Sequence, residues 1–432
     1  MMRLLHTSDW HLGQTLHGHE RSAEHQAFLD WLLDTLESEN VDVLLIAGDV
    51  FDTANPSSAA QRQWYGFLAA AHRRIPGLSV VVIAGNHDSP GRLEAPHPFY
   101  ALCQVNVVGQ TVRDAQGEID LSQLVLPLRD RQGETRAWAL AVPFLRPGDV
   151  PRAQAAPASA ETAEARADAQ GETPGAAFQD AIVDLYRRVQ AYAETQRAPQ
   201  QALVALGHCH MRDGQVSEDS ERRLVGGAEA LPAAMFDDAV AYAALGHLHF
   251  PQAVGARAHI RYSGSPLPLS FNEMHYPHQV VCVDLDGAQA GAIRPLRVPR
   301  QVELLSVPAR PLPPDEALAA LAAMTLPPLD PADIASWPYL QVQVRLDAPE
   351  PGLRARIDAA LAGRPVRLCR IRTEYGGAAR DAAHVSLDAL DALDPAQVFA
   401  RVYRRRYGTE APPDYAQAFA EIVDETLRED PA

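Results

Sequence analysis

The sequence predicts an α/β protein, and two observations carry that prediction. Through the first half of its 432 residues, apolar runs of strand length alternate with helical patterns. This alternation is typical of βαβ crossovers and a largely parallel sheet. Residues rich in Asp, Asn and His directly follow several of the apolar runs, at the strand ends where open α/β sheets bind ligands. We therefore expect one ligand crevice at the carboxyl ends of the strands.

The predicted elements follow one another as βαβ units require. Eight strands are predicted, at residues 3–8, 41–47, 79–84, 138–142, 202–206, 241–245, 260–263 and 280–285. Two helices, at 23–39 and 57–74, separate the first three strands. In the first helix Phe28, Leu32 and Leu36 recur at helical spacing, which indicates one apolar face.

Composition shifts divide the chain into three predicted regions: a main domain at 1–297, a small α+β capping domain at 298–385 and two amphipathic helices within 386–432. Residues 146–175 are rich in Ala, Pro, Glu and Gln and hold almost no large apolar side chain. Such a segment cannot bury enough surface to offset its ordering entropy, so we expect a mobile surface loop. The capping domain is predicted from strands at 302–307, 340–346 and 366–371 and from helices at 315–324 and 353–361.

Charge and cysteine usage limit the class of protein. The formal net charge is −17, from 38 basic and 55 acidic residues. Such a chain would bind nucleic acid poorly by itself, because phosphate contacts need a concentrated positive surface. The four cysteines lie far apart without CxxC pairing, which favours reduced thiols. No apolar run approaches the roughly 18 residues of a membrane span or resembles a signal peptide, so we expect a cytoplasmic protein without a membrane partner.

Five polar clusters follow predicted strands. They are Asp9-Trp10-His11, Gly48-Asp49-Val50-Phe51-Asp52, Gly85-Asn86-His87-Asp88, Gly207-His208 and Gly246-His247-Leu248-His249. A lone Asp-x-His or Gly-Asp after a strand is explained as a turn with a helix cap, whereas Gly-His-x-His can also project two imidazoles in one direction. Five such clusters at strand ends would instead converge on one crevice, which favours a functional site.

The donor types in these clusters indicate metal chemistry. Mixed carboxylate, amide and imidazole ligands suit Mn²⁺, Fe²⁺ or Zn²⁺. Seven ligands are too many for one ion with open positions, but they suit two ions that share a bridging carboxylate. Two ions about 3.5–4 Å apart stabilise the attacking and leaving oxygens of an in-line displacement, which predicts phosphoester hydrolysis. Asp52 is a candidate supporting residue, and His210 is an alternative to His208 as a ligand.

The motif order D-x-H, G-D-x-x-D, G-N-H-D, G-H and G-H-x-H, over residues 3–250, resembles the calcineurin-like metallophosphoesterases. The resemblance implies a two-sheet βαβ sandwich. It implies that one metal is held by Asp9, His11 and His249, that the other is held by Asn86, His208 and His247, and that Asp49 bridges them. It further implies that His87 acts on the substrate, with Asp88 as its orienting partner.

Longer stretches narrow the resemblance. HTSDWHLGQ, AGDVFDTANPS, AGNHDSP, YAALGHLHFPQ and RYSGSPLPLSFNE are similar to the SbcD family, the DNA double-strand-break repair branch of these enzymes. The family implies a Mn²⁺-dependent exonuclease on duplex ends that is also an endonuclease on single strands and hairpins. It implies a homodimer through helices near 57–74 and 94–103, joined to two SbcC-type ATPase subunits in a heterotetramer. The helices of 386–432 would bind the ATPase coiled coil.

Two other functions are weighed against this one. A phosphatase or cyclic-nucleotide phosphodiesterase acting on small substrates would use the same metals. The domain after residue 297 and the Ser-Gly-Ser-Pro stretch at 263–266 disfavour it. A structural scaffold for an ATPase is disfavoured because all seven ligand positions are intact.

Overall fold

The structure, a computed structural model, describes most of the chain. The described residues are 1–150, 174–212, 214–215, 230–255, 257–326, 330, 332–347, 350–375 and the single positions 399, 403, 404, 412, 415 and 419. The predicted loop at 146–175 lies outside them except at its two ends, as does most of the predicted helical segment at 386–432. The chain divides into two compact units, of which the first holds Met1–Val307, Met324–Val342 and Leu361–Arg370 and the second holds Pro308–Ala323, Gln343–Ala360 and Ile371–Ala432.

The elements are numbered here in chain order. The helices are α1 Ser22–Ser38, α2 Ser58–Arg74, α3 Pro90–Glu94, α4 His97–Leu102, α5 Pro174–Gln196, α6 Pro314–Ala323 and α7 Leu353–Leu361. The strands are β1 Met2–Thr7, β2 Thr15–Leu16, β3 His19–Glu20, β4 Val43–Ala47, β5 Ser79–Ile83, β6 Val105–Val108, β7 Val125–Arg129, β8 Thr135–Ala141, β9 Ala202–His208, β10 Val240–Gly246, β11 Gln252–Val254, β12 Arg257–Tyr262, β13 Gln279–Asp286, β14 Gln289–Arg297, β15 Leu304–Leu312, β16 Tyr339–Leu346 and β17 Arg367–Tyr375.

Two six-stranded sheets form the first unit. The first sheet has the order β14-β13-β1-β4-β5-β6, and the second has the order β11-β12-β10-β9-β8-β7. Strands β1, β4, β5 and β6 are parallel, as are β8, β9, β10 and β12. The antiparallel pairings lie toward the edges: β13 pairs with β1 and with the edge strand β14, and in the second sheet the edge strands β7 and β11 pair with β8 and β12. The predicted α/β class and two-sheet core are confirmed.

Alternation along β4 shows how the core is layered. Leu45 and Ala47 belong to the buried cluster that also contains residues of the second sheet, such as Ala205 and Leu245. The neighbouring Leu44 and Ile46 belong to the cluster formed with α1 and α2. Successive side chains of a strand point to opposite faces, so the first sheet is buried on both sides. This burial explains why its strands appear in the sequence as continuous apolar runs.

Some elements were not predicted. Helix α5 (Pro174–Gln196) was not predicted, and it begins inside the segment predicted as a loop. Strand β14 was missed because its sequence, QAGAIRPLR, contains Gly and Pro and much of it is exposed at a sheet edge. Edge strands accept Pro, since one of their rows of backbone groups need not pair.

The small sheet has the order β15-β16-β17, and α6 and α7 belong to the same part of the chain. These elements agree with the strands and helices predicted there, although β15 and β17 extend further than expected. Within the second unit, Arg356 of α7 forms ion pairs with Asp315 and Glu350. In the described part of the chain, no helix has both the length and the apolar character needed to cross a bilayer.

Candidate metal centre

The predicted ligands of the first sheet lie in tight turns after its strands. Asp9 and His11 follow β1, and Asp49 follows β4; all three have left-handed backbones, with φ of 55°, 46° and 50°. This conformation costs an L-residue roughly 1–2 kcal/mol and persists only where the surroundings enforce it. Backbone hydrogen bonds supply that enforcement, because the Asp9 N–H donates to Gly48 O at 3.0 Å and the His11 N–H donates to Asp49 O at 3.1 Å.

Two glycines permit the close approach of the turns. A Cβ on Gly85 would lie 2.1 Å from Asp49 Oδ1. A Cβ on Gly246 would lie 1.9 Å from the carbonyl oxygen of Ala47, which belongs to the first sheet. Any side chain at either position would therefore push apart the strand ends that carry the ligands.

Asp49 lies between two groups of candidate ligands. Its Oδ2 is 3.6 Å from His11 Nε2 on one side and 3.4 Å from His208 Nε2 on the other. Its Oδ1 accepts the His87 backbone N–H at 2.8 Å, which fixes the carboxylate plane. The position is that of a carboxylate able to bridge two cations.

The two groups each bring donors from both sheets. Donor atoms of Asp9, His11 and His249 all lie within 4.8 Å of one another. On the other side, Asn86 Oδ1 is 3.0 Å from His208 Nε2 and 3.0 Å from His247 Nδ1. All seven residues predicted as ligands therefore meet at one edge of the sandwich.

One buried atom tests whether these residues suit divalent cations. His11 Nε2 is buried with no hydrogen-bond partner, although His11 Nδ1 lies 3.2 Å from Asp52 Oδ1. A buried polar atom without a partner costs about 1–3 kcal/mol. A cation between His11 Nε2 and Asp49 Oδ2 would satisfy both atoms. The mixed oxygen and nitrogen donors fit borderline divalent ions.

Partner atoms orient the imidazoles. His208 Nδ1 lies 2.8 Å from Ala47 O, and His249 Nδ1 lies 3.0 Å from Glu273 Oε1. Such contacts set the tautomer and the direction of a metal-binding ring. Sequence reasoning missed the role of Glu273, because a single Glu in a short 3₁₀ turn has no spacing pattern. Its complete burial was the decisive sign, and burial is visible only in the structure.

Electrostatics also indicate a need for positive charge. Burial disfavours the charged form of Asp49, but attraction to His208 outweighs it and lowers the pKa of Asp49 below its usual range. Burial likewise opposes a charged His208, yet Asp49 raises the pKa of His208 to about 9. Burial and then the neighbouring His208 lower the pKa of His247 to about 3. Cation binding would displace protons from this cluster, as metal sites built from imidazoles do.

The structure corrects the predicted partner of His87. His87 Nδ1 lies 2.7 Å from the backbone carbonyl oxygen of Asp52, which orients the ring. Asp88 instead accepts the backbone N–H groups of Gly85, Val50 and Phe51 at 2.9–3.2 Å. Asp88 therefore joins the turn that carries Asn86 to the turn that carries Asp49. Burial first, and then Asp49, raise the pKa of Asp88 to about 6.

The choice between the two histidines after β9 has a geometric answer. His208 is buried and contacts Asn86 and Asp49, whereas His210 is half-buried and lies with its ring 6.5 Å from that of His247. His208 is the candidate ligand that the geometry favours.

Comparisons with known proteins give the family of the chain. Residues 2–251 match the calcineurin-like phosphoesterase family. The chain belongs to the calcineurin-like phosphoesterases. Residues 300–407 match a second family, SbcD_C, described as the type 5 capsule protein repressor C-terminal domain.

Curated relatives give a narrower family. The SbcD component of the nuclease SbcCD from Rhodobacter capsulatus is 42% identical over 93% of this chain and 94% of its own length. The protein of the same name from Escherichia coli K12 is 32% identical over 93% of this chain and 92% of its own length. The one from Bacillus subtilis is 35% identical over 66% of this chain and 66% of its own length. The chain therefore belongs to the SbcD family, and the predicted resemblance is confirmed.

Proposed function

We propose that this chain is the DNA-cleaving component of a nuclease and hydrolyses phosphodiester bonds with two divalent cations. We expect Mn²⁺ to be the preferred metal. The observation that carries the proposal is the position of Asp49 Oδ2, 3.6 Å from His11 Nε2 and 3.4 Å from His208 Nε2. The family supports nucleic acid as the substrate, since the relatives are named as nucleases. When bound, the two cations would lower the pKa of a water and stabilise the oxygens of an in-line displacement.

We assign the protein groups as follows. Asp9, His11 and His249 hold one cation; Asn86, His208 and His247 hold the other; Asp49 belongs to both. Asp88 is a supporting residue that keeps the two turns in register through three backbone N–H groups.

His87 is assigned to the substrate. Its ring is oriented by the Asp52 carbonyl, and it packs edge-on against the His11 ring at 4.8 Å between centroids. Because Nδ1 must carry a proton to pair with this carbonyl oxygen, Nε2 would carry a second proton only in the imidazolium form. In that form His87 would donate the Nε2 proton to the leaving oxygen or stabilise charge on the phosphate. General acid catalysis by a positioned imidazole typically contributes about 10²–10⁴-fold in rate.

The assembly is part of the proposal. A homodimer through α2 and α4 is supported by large apolar side chains exposed there, since Phe99 is 72% and Leu102 is 73% exposed. Patches of this kind often mark interfaces. Two SbcC-type ATPase subunits would complete a heterotetramer and supply much of the DNA contact that a chain of net charge −17 lacks. The partners and the chemistry favour a cytoplasmic location.

We propose a main domain at 1–297, a capping domain at 298–385 and a partner-binding segment at 386–432. The last region is assigned to the ATPase coiled coil. Within it, the Phe399 and Phe419 rings stack with centroids 4.5 Å apart, so part of the apolar surface packs internally. Deleting residues 395–432 should abolish co-purification with an SbcC-type partner and ATP-stimulated cleavage of duplex ends. Manganese-dependent cleavage of single-stranded DNA should persist, and an unchanged affinity for the partner would contradict this assignment.

A cleavage assay tests the main proposal. The purified chain, with and without its ATPase partner, is incubated with blunt duplex, hairpin and single-stranded DNA in Mn²⁺ or Mg²⁺. We expect Mn²⁺-dependent cleavage that is absent in Asp49→Ala. Faster hydrolysis of a small phosphate ester than of any DNA substrate would favour a small-substrate phosphatase. No hydrolysis of either substrate, with normal binding to the ATPase, would favour a scaffold.

A further inference from the structure

A mainly apolar cavity lies beside the group of candidate ligands formed by Asn86, His208 and His247. Its walls include Phe144, Phe178, Ile182 and Tyr186. His208 also lines it, so the cavity shares a wall with the candidate metal centre.

Phe144 occupies a distinctive place at this cavity. It is only partly buried, and its ring meets the His208 ring edge-on with centroids 6.2 Å apart. Its backbone N–H donates to Ala84 O at 2.9 Å, which ties it to the turn that carries Asn86. The exposed Arg146 places its guanidinium carbon 5.3 Å from the centre of the Phe144 ring. The Phe144 ring, with the Arg146 guanidinium close to it, is therefore held next to His208, a candidate metal ligand.

The lining limits what the cavity can accept. Among the described residues that line it, none carries a carboxylate, an ammonium or a guanidinium group. Its polar side chains include Gln179, Cys209 and the two histidines His208 and His210. A phosphate would lose much of its hydration against the mainly apolar walls, whereas a flat, neutral ring would gain contact with the aromatic side chains. His208 also contacts Asn86 within the centre, so the cavity and the candidate metal centre share the His208 ring.

We propose that this cavity is a base subsite. It takes one unstacked nucleobase, adjacent to the phosphate that is cut, against the Phe144 ring, and the guanidinium of Arg146 lies beside that phenylalanine ring. The inference rests on the proposed nuclease function and adds a way of positioning the strand. Stacking on an aromatic side chain is tolerant of sequence, because every base has a π-face. The subsite would favour unpaired strands and frayed ends, where the cost of extruding a base is smallest.

A cycle between protein and substrate tests the subsite. Single-stranded oligonucleotides carry one abasic position, moved step by step across the cleavage site. For the wild-type protein, we expect one position at which removal of the base raises KM by about 5- to 100-fold, the range of stacking on one aromatic side chain, with a smaller change in kcat. In Phe144→Leu this position should become indistinguishable from its neighbours, and Phe144→Trp should restore it.

The control is Tyr192→Leu, a partly buried aromatic on the same helix as Phe178 and Tyr186 that does not line the cavity. It should keep the wild-type abasic profile. Arg146→Gln should weaken the effect of the abasic position in part. The exposed Arg129→Gln on β7 is its matched control and should leave the profile unchanged.

A binding measurement without cleavage gives an independent result. In EDTA, 2-aminopurine at the sensitive position should brighten when wild-type protein binds, because the base leaves its stacked neighbours; its fluorescence should change much less with folded Phe144→Leu. An equal abasic profile in wild type and Phe144→Leu, or equal fluorescence changes, would overturn the subsite. Wild-type cleavage with a flat profile would contradict the subsite alone, whereas absence of all DNA cleavage would contradict the proposed nuclease function.

Discussion

The two sheets hold their ligands in different ways. The first sheet supplies the oxygen donors Asp9, Asp49 and Asn86, and backbone N–H groups fix its two carboxylates: His247 N–H donates to Asp9 at 3.0 Å and His87 N–H donates to Asp49 at 2.8 Å. The second sheet supplies imidazoles, and acceptor oxygens orient two of them, as Ala47 O does for His208. A carboxylate needs donors to fix it, while an imidazole that binds metal through one nitrogen needs an acceptor for the other.

His11 is the exception that connects the two arrangements. It follows β1 of the first sheet but is an imidazole, and it is oriented by a carboxylate, Asp52. The Asp52 side chain is 30% exposed, whereas the Glu273 side chain that orients His249 is fully buried. A buried carboxylate is screened less by water, so Glu273 should constrain its histidine more than Asp52 does.

The largest effect is expected at the residue that serves both groups. Asp49→Ala should lose both cations. Its cleavage rate should fall further than after loss of a positioned acid, which typically costs about 10²–10⁴-fold. His249→Ala, which removes an imidazole from one group only, should weaken mainly one cation. Metal content by mass spectrometry separates the two variants. A content near two per chain in Asp49→Ala would contradict the bridging role.

The next effect separates catalysis from metal binding. His87→Gln should lower the cleavage rate by about 10²–10⁴-fold while both cations still bind, because His87 is assigned to the substrate. Anomalous scattering from Mn²⁺-soaked crystals measures occupancy directly. A missing metal peak in the variant would show that His87 supports the centre instead.

Smaller effects compare the two orienting carboxylates. Glu273→Gln should lower metal affinity by about 10–100-fold, because its amide N–H₂ can face His249 Nδ1 and thereby favour the tautomer with a proton on Nε2. Asp52→Asn should lower affinity less, since Asp52 is partly exposed. Titration of each variant with Mn²⁺ measures the difference. Equal losses would show that burial does not decide how strongly a partner orients its ring.

The last prediction concerns the contact between the sheets away from the metals. His6 of β1 contacts Tyr242 OH at 2.9 Å and Leu245 O at 3.2 Å, both on β10. Burial lowers the pKa of His6 to about 3, and the nearby Arg261 adds to that shift. The folded state therefore binds fewer protons than the unfolded state, and the free energy of unfolding should fall as pH drops below about 6.5.

The slope isolates His6. Between pH 6.5 and 5, His6→Gln should reduce the loss of stability by about 1.1 kcal/mol per pH unit on average, measured by urea unfolding in EDTA. The exposed His72→Gln is the control and should keep the wild-type slope. Part of the slope should remain in His6→Gln, because burial, and then Arg21, also lower the pKa of His25 to about 3. An unchanged slope in His6→Gln would show that His6 is protonated in the folded protein.

The sequence alone predicted the α/β class and placed Asp, Asn and His at the ends of its strands, while its resemblance to the calcineurin-like phosphoesterases implied the two-sheet core and the seven candidate ligands. The signals are local patterns: strands buried on both faces appear as apolar runs such as 79–84, and Gly stands beside Asp, Asn or His in the turns that follow several strands. These signals are short in range, so one chain displays them without its fold.

The tertiary structure decided which atoms meet across long separations. Glu273 orients His249 only because a turn brings it within 3.0 Å, and no local pattern marks it. Asp88 was expected to orient His87, yet packing turns its carboxylate onto backbone N–H groups 37 and 38 residues away. The cavity beside His208 likewise joins Phe144 to Tyr186 of α5, a helix that was not predicted from the sequence. Sequence patterns report the period and polarity of each element, whereas orientation and burial depend on elements that are distant in the chain and become neighbours only on folding.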